Sequence, residues 1–122
     1  MDRIRRIEHQ GRQVALLDFS GVNDPAEWAR EVANARSLVA AHPANGTLLT
    51  LTDVTDVRYD KEIVQMFREL AAHNKPYVRA AAVITPSALN RSVISMVGVV
   101  TRRKLQAFDT RSAALDWLVQ QA

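Results

Sequence analysis

Three aspartates, Asp53, Asp56 and Asp60, stand three and four residues apart in the segment Leu51-Thr52-Asp53-Val54-Thr55-Asp56-Val57-Arg58-Tyr59-Asp60. Metal-assisted or acid–base chemistry is what such carboxylates could do. A Mg²⁺ ion needs only one or two of them, with water or phosphate completing its shell. The apolar run before Asp53 reads as a strand, and ligands of open α/β sheets bind where the strands end. Asp18, closing the run Val14-Ala15-Leu16-Leu17, belongs to the same rim. The competing reading is structural: Asp60 caps a helix, while Asp53 and Asp56 fix turns by accepting backbone hydrogen bonds. No histidine or glutamate pair stands beside them in sequence. We therefore assign no catalytic residue, metal ligand or cofactor, and keep a small metal-assisted hydrolase as an alternative.

Other chemistry is sparsely represented. Cysteine is absent, which removes thiol nucleophiles, thiolate metal sites and disulfides. His9, His42 and His73 are scattered, and the last two sit at expected helix ends, where the dipole favours them. Neither glycine-rich phosphate fingerprint is present. Thr85-Pro86-Ser87 opens a helix, so Thr85 and Ser87 are candidates for an anion site on free amides, or simply for capping. Arginines 3, 5, 6 and 12, and Arg102-Arg103-Lys104, concentrate a net charge of +3. Without interleaved aromatics they read as edge and loop charge, not as a nucleic-acid surface.

These residues require a frame. The 122 residues, 48% of them apolar, make one domain with a sufficient core. The longest apolar runs fall far short of the roughly 20 residues of a membrane span, and the basic start lacks the apolar stretch of a signal peptide. The expectation is a cytoplasmic protein. Gln10-Gly11 predicts a hairpin between the first two strands. Asp24-Pro25-Ala26-Glu27 predicts a capped helix to about Ala40, with Glu27 closing a capping box. Asp60 opens a second helix on Ile63, Phe67 and Leu70, and Asn74-Lys75-Pro76 stops it. A third runs from Thr85-Pro86-Ser87 to about Val100, and a fourth follows Asp109-Thr110. The order is β-β-α-β-α-β-α-β-α, an α/β fold with a mixed five-stranded sheet, four helices and right-handed parallel crossovers.

The string from Tyr59 to Ile84, with Phe108-Asp109-Thr110 and Ala114-Leu115-Asp116-Trp117-Leu118, resembles small bacterial proteins grouped with the STAS domains, the fold of the anti-sigma-factor antagonists, and also with lipid-transfer-like (SEC14-like) domains. The resemblance covers the chain from about Gln13 onward. It implies a right-handed βα superhelix and a regulatory or protein-binding role. It also implies a partner-facing loop that carries Asp53, Thr55, Asp56, Asp60 and Lys61. In the antagonists an aspartate-serine pair precedes the second helix and the serine is phosphorylated. Here Asp60 takes the aspartate position and Lys61 the serine position, so no phosphoserine switch is expected; Thr55 is the nearby hydroxyl.

The third helix is over-supplied with apolar residues. On a wheel, Leu89, Val93, Met96, Val97 and Val100 fill one arc, which leaves Ile94 and Val99 outside it. The second and fourth helices are the expected neighbours, and covering both flanks exceeds what they offer. Gly98 would let a second backbone approach. Ile94, Gly98 and Val99 are thus the expected interface of a two-fold homodimer burying at least about 1,000 Å². An enclosed cavity would instead favour a small apolar ligand or lipid.

Overall fold

Gln10 and Gly11 adopt φ of 50° and 77°, the two left-handed positions of a tight hairpin turn. They fold β1 (Ile4–His9) antiparallel onto β2 (Arg12–Asp18), with Ile7 opposite Val14. A computed structural model describes residues 2–122, apart from the side chain of Leu89, so the expectation that Leu89 belongs to the core lies outside the described residues. The chain continues through α1 (Pro25–Ala40), β3 (Leu48–Asp53), α2 (Lys61–Asn74), β4 (Val78–Ile84), α3 (Ala88–Thr101), β5 (Leu105–Phe108) and α4 (Arg111–Gln121). The sheet order is β1-β2-β3-β4-β5, parallel from β2 onward. It is a mixed five-stranded sheet with four helices, as expected.

The two-residue period of the strands sorts the core into two layers. Leu17 and Val83 face α1, α2 and α3, meeting Trp28, Val32, Phe67, Leu70, Ile94 and Val97. Leu16, Leu51, Ala82 and Ile84 face the other way, onto Ala114 and Leu118 of α4. Sequential strand order with α1, α2 and α3 on one face is what successive crossovers of one hand generate. One consequence corrects the sequence reading: α4 lies across the sheet from α3 and cannot flank it.

Local signals place the helix starts. Asp24 accepts from the Glu27 amide (3.3 Å) and Asp60 from the Ile63 amide (2.8 Å). Glu27 turns toward Arg3 (4.0 Å). The cap of α3 is Ser87, which accepts from the Asn90 amide (3.4 Å). Pro86 therefore precedes the cap and does not fill the first helical position.

α3 is rotated from the expected arc. Ile94 and Val97 are core residues at 1% and 0% exposure, whereas Met96, Val99 and Val100 are 40%, 78% and 49% exposed. Asn90 ties this orientation to the loop before α2: its side-chain amide donates to the Val57 carbonyl (3.2 Å), while the Thr101 hydroxyl bonds back within the helix to the Val97 carbonyl (2.6 Å). Gly98 does admit a close backbone, but an internal one. Arg102 takes the left-handed conformation (φ 55°), and the Arg103 amide bonds back to the Gly98 carbonyl (2.9 Å). A Cβ on Gly98 would sit 2.9 Å from the Arg103 carbonyl oxygen. Gly98→Ala is expected to destabilise the fold by about 1 kcal/mol, because overpacking at ~2 kcal/mol exceeds the ~1 kcal/mol gained in helix propensity. Urea unfolding checks this, and a higher midpoint in the variant would contradict it.

Candidate functional site

Asp18 and Asp53 end adjacent parallel strands and are register partners. Both point to the α4 side of the sheet, because they continue the alternation of Leu16 and Leu51. Two carboxylates there would repel one another. Arg111, the first residue of α4, lies between them and uses its planar fork on both. Its Nε donates to Asp53 Oδ2 (2.9 Å) and its Nη2 pairs with Asp18 Oδ2 (3.1 Å). The second oxygen of Asp53 accepts from the Thr55 amide (2.9 Å). That of Asp18 accepts from the Ser20 amide (3.0 Å) and hydroxyl (2.6 Å), with Arg3 Nη1 at 3.7 Å.

Burial alone would raise the pKa of Asp18, but the Ser20 bonds and the Arg111 guanidinium outweigh it and hold the carboxyl below its ordinary value. For Arg111, burial is outweighed by Asp53 and Asp18, and its pKa is raised. A carboxyl depressed in the folded state stabilises the fold above its unfolded pKa, and that contribution is lost as pH falls through the folded value. Wild-type stability is therefore expected to fall more steeply than that of Asp18→Asn as pH drops below about 4. Urea midpoints measured against pH decide it; parallel acid limbs would contradict the network.

With both carboxylates engaged, this cluster is a bolt between α4 and the sheet rim and not a poised acid–base pair. Among the described residues, no group of three His, Asp or Glu side chains is arranged to hold a metal ion. Asp60 lies at the α2 cap, and Asp56 sits on the loop in a left-handed conformation (φ 58°). The Asn23 side chain clamps that loop, donating to the Asp56 carbonyl (3.2 Å) and accepting from the Arg58 amide (2.5 Å). An open cleft of about 600 Å³ lies here, lined by Asn23, Asp56, Val57, Arg58, Tyr59, Asn90 and Val93. The Tyr59 hydroxyl is buried without a partner, and burial pushes its pKa above the ordinary phenol range.

Lys61 and Glu62 begin α2 on the wall of a second open cleft, about 950 Å³, shared with Asp24, Pro25, Ala26, Ala29 and Met66. Thr55 is half-buried. Thr85 is fully buried at the end of β4 while Ser87 is exposed, so these two hydroxyls do not face one anion. The histidines meet Asp116 (2.9 Å), Thr47 (2.8 Å) and Asn74 (2.9 Å), none of them a serine. Of the expected interface residues, Ile94 is in the core, Gly98 is taken up by the turn after α3, and Val99 alone faces solvent. The basic cluster after α3 is divided as well. Arg103 turns inward to the Ala71 carbonyl at the C-terminal end of α2 (3.3 Å), and burial lowers its pKa to about 10.

Sequence reasoning missed the roles of Arg111, Asn23 and Asn90, and read Arg3 only as edge charge. The one available signal was Arg111 directly after the Thr110 cap, in a first turn where a cation is disfavoured by the helix dipole unless acids face it. Among the described residues, no helix is long and apolar enough to cross a membrane. No protein-family model matches the chain, and neither a curated protein nor a solved structure matches it.

Proposed function

We propose that the chain is a non-catalytic, STAS-like binding domain that associates with itself through the outer face of α3. The observation that carries this reading is the exposure of Met96, Val99 and Val100, the large apolar side chains left in solvent among the described residues, all on one helix. Ser92 and Ser95 complete that face, and the one charged residue of α3, Arg91, is directed to the Thr85 carbonyl (3.2 Å) and Asp109. A face without charge can meet its own copy across a two-fold axis without like-charge repulsion. The helix is about 21 Å long. Such a face falls short of the roughly 500 Å² per partner that a specific contact needs, so the interface extends onto the neighbouring flank of α2 around Val64 and Arg68. Sedimentation equilibrium at micromolar concentration is expected to return twice the mass of one chain; the mass of one chain would overturn the reading.

A small apolar ligand is less well supported. The void enclosed between α2 and the sheet, lined by Thr50, Thr52, Phe67 and Arg103 among others, amounts to about 10 Å³, room for a single water. The sequential βα winding and the Asp60-capped α2 support the STAS-like assignment. With Lys61 in the serine position, regulation in this domain proceeds by association and not by phosphorylation there.

A further inference from the structure

β1 forms one edge of the sheet, and its outer side is unpaired. The Asp18 amide donates to the Arg3 carbonyl (3.0 Å), which makes Arg3, Arg5, Ile7 and His9 the residues bonded to β2. The alternation of an antiparallel ladder then turns the amide and carbonyl of Ile4, Arg6 and Glu8 outward. Beside this edge an open groove of about 690 Å³ separates β1 from α1, with Ile4 and Leu38 as its apolar floor and Glu31 and Asn34 on its wall. Backbone groups in a row call for an extended chain, and the groove supplies room for its side chains.

We propose that β1 accepts a strand from a partner protein, antiparallel and of defined pattern. Directly opposed side chains interact across an antiparallel pair, where opposite charges stabilise and like charges destabilise. Glu8 therefore asks for a basic residue, Ile7 for an apolar one, Arg6 and Arg5 for acidic ones, and Ile4 for an apolar one. Read from its own N-terminus, the incoming strand runs basic-apolar-acidic-acidic-apolar. A second copy of β1, centred on Ile7, would match Glu8 with Arg6 and Ile7 with itself. It would then place His9 opposite Arg5 and Gln10 opposite Ile4, where the pattern asks for an acid and an apolar residue. The edge therefore favours a foreign strand over its own copy. This surface lies at the opposite edge of the sheet from β5, on which α3 packs, and does not depend on self-association there.

The test is fluorescence anisotropy with the capped, labelled peptide Ser-Lys-Val-Glu-Glu-Val and its charge-swapped form Ser-Glu-Val-Lys-Lys-Val. Wild type is expected to bind the first at least about tenfold more tightly. Arg6→Glu is expected to lose at least half of that preference on a logarithmic scale. Arg6→Pro removes an outward amide that β2 does not use, and is expected to abolish binding of the first peptide with little change in the urea midpoint. The proposal is overturned if the first peptide shows no saturable binding at millimolar concentration, or if both peptides bind equally. It is also overturned if Arg6→Glu leaves the preference intact, or if Arg6→Pro dissociates an oligomer of the chain itself, which would give the edge to a second copy.

Discussion

Arg111→Met is expected to destabilise the protein by about 2 kcal/mol. Removing one member of a buried charge cluster typically costs ~3–5 kcal/mol, because the remaining charge stays desolvated and unpaired. Here the Asp53 side chain is 7% exposed, but Arg111 is 41% exposed, so water relieves part of the loss and the lower figure applies. The penalty should reside in the orphaned carboxylates. Adding Asp53→Asn to Arg111→Met is therefore expected to recover at least about half of it, since a neutral amide costs less to leave beneath α4. Equilibrium urea unfolding of the two variants provides the measurement. A loss within about 0.5 kcal/mol for Arg111→Met would class the cluster with ordinary surface ion pairs.

The second large effect is on association. Met96→Lys combined with Val99→Lys is expected to weaken the proposed self-association at least about a hundredfold, which corresponds to ~2.8 kcal/mol. Each protomer would bring two ammonium groups into an α3 face that otherwise has no charge, facing their own symmetry mates. Both positions are exposed in the single chain, so its urea midpoint should barely change. Ile94→Lys should behave in the opposite way. At 1% exposure it would place a cation in the core and unfold the protomer itself. Sedimentation together with unfolding separates the two outcomes, which a helix rotated to the arc first expected from the sequence would not produce.

What could be read in advance was local. The Gln10-Gly11 turn, the Asp24 and Asp60 caps and the stripe of α2 each depend on residues a few positions apart, and the structure has them where the spacing put them. α3 was misread because its apolar residues surround the axis. The most populated arc then carries no directional information, and the orientation follows from Asn90 reaching Val57, 33 residues away. That contact depends on a chain position that no wheel contains. The Asp18–Arg111–Asp53 cluster was half legible. The sequence placed both aspartates at strand ends, but Arg111 is 58 residues from Asp53, and its role follows from α4 crossing to the other face of the sheet.

The absence of cysteine makes the central claim directly measurable, because Val99→Cys introduces a single thiol in place of the most exposed large apolar side chain among the described residues. Two α3 helices packed across a two-fold axis bring that thiol near its symmetry mate, within reach of a disulfide whose Cα atoms lie about 6 Å apart. Mild oxidation at micromolar concentration is expected to convert most of the Val99→Cys chains to a covalent dimer. Arg36→Cys, exposed on α1, should remain monomeric under the same treatment. Cross-linking no faster for Val99→Cys than for Arg36→Cys would contradict self-association through α3.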